Sequence, residues 1–89
     1  NKIKKNTSKK DNFFILIATF YSEENAEFLK KRITNEIINY DNKKLKIIRE
    51  NNKEIKLISG PYTTINFMKN DYIKLKDLGF EELDITTNE

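Results

Sequence analysis

The chain has 89 residues with two glycines, one proline, no cysteine and no histidine, which fits one small domain and excludes a two-domain enzyme and disulfide or thiolate metal sites. Five of the 17 basic side chains lie in the first ten residues, so the net charge of +3 becomes 12 basic against 14 acidic side chains in the rest of the chain. The cationic character expected of a nucleic-acid-binding domain is therefore confined to a polar tail.

The chain divides into three predicted parts. Residues 1–11 are predicted to form a polar, basic linker, residues 12–86 a folded domain and residues 87–89 a C-terminal tail. Because the first residue is Asn and no apolar run approaches 18 residues, we expect a piece of a longer protein whose signal or anchor lies outside it.

The first predicted strand is an aromatic and aliphatic run over residues 13–18, followed by a helix. Alternation along the strand places Ile15 and Ile17 on the helix side of the sheet, and the open side receives Phe14, Leu16 and Ala18. Ser22 is suited to cap the helix. The apolar stripe of that helix is Ala26, Leu29, Ile33, Ile37 and Tyr40, widened by Phe28 and Ile38.

Two further strands are predicted over residues 45–49 and 55–59, joined by a turn at either Asn51-Asn52 or Asn52-Lys53. The choice of turn decides which side chains of residues 45–49 point to the helices and which point to the open face. The sequence leaves this pairing register undecided. Gly60-Pro61 is predicted to end the second of these two strands, because proline has no amide hydrogen to donate to the sheet. Thr63 or Thr64 caps a second helix that stops at Gly79, with an inward stripe of Ile65, Met68, Tyr72, Leu75 and Leu78.

A last strand is predicted over residues 80–85, which completes a β-α-β-β-α-β order. This order is typical of the α+β split βαβ fold, similar to ferredoxin and to RNA-recognition motifs. We expect a four-stranded antiparallel sheet with both helices on one face. The other face of the sheet stays open.

Enzymatic chemistry is not expected, because the chain offers neither His nor Cys as a nucleophile or base. Glu81, Glu82 and Asp84 are predicted to be solvated edge-strand residues and not a metal site. No glycine-rich phosphate loop is present, and we expect no cofactor.

Two segments resemble one known family. The run Phe13-Phe14-Ile15-Leu16-Ile17-Ala18-Thr19-Phe20, with Ser22 and Asn25-Ala26 after it, resembles the first strand, turn and helix of SPOR domains, the sporulation-related repeat modules of bacterial envelope proteins. Ile55 to Tyr62 resembles their third strand with its Gly-Pro-aromatic ending, and Leu78-Gly79-Phe80 fits as well. The resemblance spans residues 12–86 in the right order.

The resemblance implies a non-catalytic module that binds peptidoglycan glycan strands stripped of their stem peptides, as they occur at the division septum. It implies a place in the periplasm or cell envelope, within a division protein or a rare lipoprotein A-like lytic transglycosylase. Septal proteins are further expected partners. Nucleic acid, and membrane contact by this fragment itself, are not expected.

The candidate glycan-binding residues combine the open-face alternation with the family pattern. Leu16 stands where the family commonly has glutamine, Thr19 where it often has serine, and Glu54 where some members have tryptophan. Lys56 replaces an arginine, keeping the charge without the planar fork. The full candidate set is Phe14, Leu16, Thr19, Tyr21, Ser22, Glu54, Lys56 and Ile58. Tyr62 is expected either to contact the glycan or to pack beneath the second helix.

Two alternatives remain open. An apolar open face with Phe14, Leu16 and Ile58, joined by Ile47 or Leu45 depending on register, would suit protein docking or self-association. An RNA-recognition motif shares the same element order. It requires stacking aromatics and a basic sheet, whereas the predicted open face of the third strand has Glu54, Lys56 and Ile58.

Overall fold

The structure is a computed structural model, and it describes residues 12–87. Four antiparallel strands form one sheet in the order β2-β3-β1-β4, which confirms the predicted α+β fold. The strands are β1 (Phe13–Phe20), β2 (Leu45–Arg49), β3 (Ile55–Tyr62) and β4 (Asp84–Thr87), and the helices are α1 (Glu23–Glu36) and α2 (Ile65–Leu78). The predicted linker and the last two residues lie outside the described residues.

One apolar core lies between the sheet and the two helices. Ile15 and Leu57 of the sheet are fully buried there, together with Ile33 of α1 and Leu75 of α2. Burial of apolar side chains contributes about 25 cal/mol per Å², so this shared core accounts for most of the favourable free energy of folding. The helices therefore cover one face of the sheet, as predicted.

Helix α1 begins after Ser22, whose Oγ accepts a hydrogen bond from the Asn25 amide at 3.2 Å. Ala26 and Ile33 of its predicted stripe are buried and Leu29 is partly buried.

Helix α1 ends at Glu36, so the prediction that the helical stripe runs on to Ile37 and Tyr40 was wrong, although both are buried from the segment after it. The prediction that Phe28 and Ile38 widen the stripe was also wrong, because they are 71% and 82% exposed. Phe28 lies two residues after Ala26 and so points to the other side of the helix. Ile38 follows the end of the helix at Glu36.

Helix α2 is capped by Thr64, whose side chain accepts from the Phe67 amide at 3.2 Å. It stops at Gly79, where φ is 122°, a conformation that side chains with a Cβ rarely adopt. Met68 and Leu75 are buried as predicted, but Ile65 is 57% exposed. Ile65 is the first helical residue and stands at the margin of the apolar stripe, so it does not reach the core.

The β2–β3 hairpin closes through a longer loop than either predicted turn. Cα pairing runs from Leu45 with Ser59 to Arg49 with Ile55, and the Glu50 amide donates to the Glu54 carbonyl at 2.8 Å. Three residues therefore lie at the tip, and the Asn51 side-chain oxygen accepts the amide hydrogens of the two residues at the far end, Lys53 and Glu54. This side-chain turn replaces the positive φ angles that a two-residue loop would have used.

The last strand begins later than predicted. Residues 80–83 are irregular, and Phe80 and Leu83 pack against the core from that segment instead of from a strand. Strand β4 pairs with β1 from Asp84 opposite Leu16 to Thr87 opposite Phe13. All four of its residues are exposed, as expected at the edge of a sheet.

Candidate functional site

The sheet face away from the helices carries an open groove of about 650 Å³. All four strands or their ends contribute to it, so the groove crosses the sheet from one edge to the other. Its lining residues are Phe14, Leu16, Lys46, Ile48, Glu50, Lys56, Ile58, Pro61, Thr86 and Thr87. A sheet face of this kind offers a long, shallow surface and not an enclosed pocket.

Apolar side chains from three strands form the floor of the groove. Leu16 of β1 lies directly opposite Ile58 of β3, and Phe14 lies two residues before Leu16 on the same face. Ile48 of β2, which is 41% exposed, extends the floor toward the hairpin. Flat apolar surfaces of this kind are the platforms on which sugar rings or other apolar faces pack.

Charged and hydroxyl groups border this floor. Lys56 forms an ion pair with Glu50 at 3.6 Å, and both side chains keep solvent contact. Lys46 donates from Nζ to the Lys43 carbonyl at 3.0 Å. Because an exposed ion pair contributes only about 0–1 kcal/mol, these groups are available to exchange partners with a ligand.

The open-face assignment was right for Phe14 and Leu16 but wrong for Ala18. The pairing of β1 with β3 shifts by one residue between Leu16 and Ala18, so Ala18 lies opposite the buried Leu57 and packs against the core. Such a bulge inserts one extra residue and reverses the alternation that follows. Thr19 consequently pairs with Lys56, a residue of the groove, and is exposed beside it.

Phe14 is seated on the β3 backbone at Gly60. A Cβ added to Gly60 would stand 2.6 Å from Cδ2 of Phe14 and 3.0 Å from the Phe13 carbonyl oxygen. Gly60 also has φ of 152°, and the Gly60-Pro61 peptide bond is cis. The missing Cβ of Gly60 therefore leaves the space in which the one aromatic ring of the groove lining lies. Strand β3 continues through Gly60 and Pro61 to Tyr62, which pairs with Phe13, so the prediction that Gly60-Pro61 ends the strand was wrong.

The structure brings four of the eight predicted site residues together in the groove: Phe14, Leu16, Lys56 and Ile58. Tyr21 is 76% exposed beyond the end of β1, and Ser22 uses its hydroxyl as the helix cap. Glu54 ends the hairpin loop and does not line the groove. Tyr21, Ser22 and Glu54 thus lie outside the groove, and Tyr62 is buried at 2% exposure beneath α2, which removes it as a sheet-face contact.

Sequence reasoning missed six lining residues: Lys46, Ile48, Glu50, Pro61, Thr86 and Thr87. The hairpin register decides the β2 contribution, and it turns Leu45 and Ile47 toward the helices. The expectation that Leu45 or Ile47 joins the open apolar patch was therefore wrong, and Ile48 takes that place. Alternation from Ile48 would have identified the right face once the loop length was known.

A chain of buried hydroxyl groups lies on the helix side of the sheet. Ser59 Oγ is 2.5 Å from the Tyr40 hydroxyl and 2.7 Å from the Tyr62 hydroxyl, and Tyr62 donates to Asp71 Oδ2 at 2.6 Å. Because each hydroxyl has one hydrogen, Tyr62 must accept from Ser59 and Ser59 from Tyr40. Burial raises the pKa of both tyrosines above the usual value of 10.0, and for Tyr62 the hydrogen bond to Asp71 raises it further.

Two features do not occur in the described part of the chain, a metal-binding cluster and a membrane-spanning helix. Within residues 12–87, no group of three or more acidic, His or Cys side chains is placed to hold a metal ion. No helix within residues 12–87 is long and apolar enough to cross a membrane. Comparisons with protein-family models, with curated proteins and with solved structures found no match to this chain.

Proposed function

We propose that the domain is a non-catalytic peptidoglycan-binding module whose open sheet face holds glycan strands lacking stem peptides. Such a module would direct a larger envelope protein in the periplasm to the division septum. The observation that carries the proposal is the groove, in which an apolar floor is bordered by hydroxyl and charged groups. Glycans present flat apolar sugar faces beside hydroxyl and acetamido groups, so both parts of the surface find partners.

The charges of the groove support a preference for stripped strands. Removal of a stem peptide leaves a carboxylate on the lactyl group of the sugar. Lys46 of β2 and Lys56 of β3 both line the groove. The ammonium group of a lysine attracts such a carboxylate over several ångströms. Thr19 beside Lys56 adds a hydroxyl that can donate to or accept from the sugar.

A pull-down on purified sacculi tests this proposal. We expect more protein to be retained on sacculi treated with an amidase, which removes stem peptides, than on untreated sacculi. A double variant Ile48→Ala with Lys56→Gln removes part of the floor and one cation, and it should weaken retention about tenfold, or roughly 1.4 kcal/mol.

The matched control is Ile73→Ala with Lys69→Gln, which makes the same chemical changes on the exposed surface of α2. It should bind sacculi as the unmodified protein does. The proposal is contradicted if neither treated nor untreated sacculi retain the protein, or if the two double variants lose sacculus binding to the same extent.

A second candidate function is self-association or protein docking through the same face. The apolar floor favours it, since Phe14, Leu16, Ile48 and Ile58 lie side by side across three strands. Sedimentation of the protein over a wide concentration range separates the two functions. Self-association would be favoured if the protein forms a dimer, if the Ile48→Ala and Lys56→Gln changes dissociate that dimer, and if sacculi do not retain the protein.

A further inference from the structure

A second cleft, of about 480 Å³, lies on the other side of Pro61 from the groove. One wall comes from the segment between α1 and β2, with Asn39, Asp41 and Lys44. The other wall is the exposed side of α2, and Tyr62 lies between the two. The α2 residues of the cleft are Phe67, Asn70, Asp71 and Lys74.

The acidic wall of the cleft is held in place from beneath. Asp71 is 14% exposed, and the buried Tyr62 hydroxyl donates to its Oδ2 at 2.6 Å. That bond ends the chain of hydroxyl groups from Tyr40 through Ser59, so the orientation of the carboxylate is fixed by the core. Its other oxygen, Oδ1, lies 3.9 Å from Nζ of Lys74, an ion pair long enough for a ligand ammonium group to replace it.

The basic wall has a cation without a carboxylate partner among the described residues. The Lys44 ammonium group stands 5.2 Å from the centre of the Tyr62 ring, a cation–π contact. Asp41, which lines the same cleft, uses Oδ1 to accept the Lys43 amide at 3.1 Å instead. Lys44 can therefore bind an external carboxylate without breaking an ion pair.

We infer that this cleft binds a small zwitterionic ligand of the amino-acid or short-peptide class. Two positive and two negative side chains line it, and the one ion pair between them is long and partly exposed. Asp71 would take the ligand ammonium group and Lys44 its carboxylate, while Asn39 and Asn70 offer amide groups to a peptide bond. Phe67, 63% exposed at the rim, provides apolar contact. The inference stands apart from glycan binding on the sheet.

Titration with alanylalanine, followed by ¹H–¹⁵N correlation spectra of the full chain at neutral pH, tests the inference. We expect saturable shifts of the Asn70, Asp71 and Lys74 amides with a Kd of about 1 mM, a typical affinity for so small a ligand. Acetylation of the ammonium group, or amidation of the carboxylate, should each weaken binding about tenfold, because each removes one of the two charge contacts.

Three substitutions complete the test. Lys44→Gln should weaken binding of alanylalanine but leave binding of its amidated form unchanged. Asp71→Asn should weaken binding of alanylalanine but leave binding of its acetylated form unchanged. Lys69→Gln, on α2 outside the cleft, serves as the matched control and should bind as the unmodified protein does. Equal binding of all three peptides, shifts confined to the groove, or no shift up to about 20 mM peptide would overturn the inference.

Discussion

Removing the Tyr62 hydroxyl should destabilise the domain strongly. In Tyr62→Phe, Asp71 loses its 2.6 Å donor while remaining mostly buried, and Ser59, itself fully buried, loses a 2.7 Å partner. A hydrogen bond to a charged group contributes about 1.5–3 kcal/mol and a neutral one about 1 kcal/mol, so the loss should be about 3 kcal/mol. Total stability is expected to be on the order of 5 kcal/mol for a domain this small.

Urea denaturation measures this loss directly. With a dependence of about 1 kcal/mol per M urea, the unfolding midpoint should fall by about 3 M. Tyr21→Phe is the matched control, because Tyr21 is 76% exposed and should change the free energy of unfolding by less than about 0.5 kcal/mol. A midpoint decrease for Tyr62→Phe of less than about 1 M would refute the assignment of the hydroxyl chain as a stabilising network.

Three other changes probe the same fold. Because the pKa of Tyr40 and Tyr62 is raised in the folded state, their contribution is complete below about pH 10 and should decrease above it. For Tyr62 the decrease should be about 1.4 kcal/mol per pH unit, so Tyr62→Phe should flatten the alkaline loss of stability in urea titrations. Gly60→Ala should destabilise by about 1–3 kcal/mol, since its Cβ would collide with Phe14, and calorimetry should show a lowered Tm. Ser22→Ala removes the α1 cap and should cost about 1 kcal/mol in urea unfolding, without loss of sacculus binding if Ser22 is only a cap.

The helices and central strands could be predicted because their patterns are strong and local. Ala26, Leu29 and Ile33 have helical spacing, and Ser22 and Gly79 mark a start and a stop with specific backbone chemistry. The same spacing continues to Tyr40 beyond the end of the helix at Glu36, so it did not predict where that helix stops. Strand β4 was placed too early because Phe80 and Leu83 are apolar for another reason, since they cover the core from an irregular segment. Apolar character alone does not distinguish these two roles.

The candidate site could be predicted only where it depends on alternation within one strand. Phe14, Leu16, Lys56 and Ile58 follow from that rule, and all four line the groove. The residues of β2 depend on the loop length of the hairpin, which is decided by the Asn51 side chain bonding to two amides. A loop longer by one residue changes the face of a whole strand, so a small local preference decides a large part of the site.

The spacing of apolar residues in β1 indicates the bulge, although a reading by strict alternation overlooks it. Ile15, Ile17 and Phe20 all pack on the core side, and the spacing from 17 to 20 is odd, so a strand with a strict period of two cannot bury all three. One extra residue resolves the conflict. The register shift lies between Leu16 and Ala18, so Ile17 is the extra residue, and Ala18 and Phe20 follow it on the core side. The core thus determines the bulge, and the bulge in turn places Thr19 beside Lys56 on the open face. A hydroxyl at the candidate site is therefore a consequence of how the opposite face is packed.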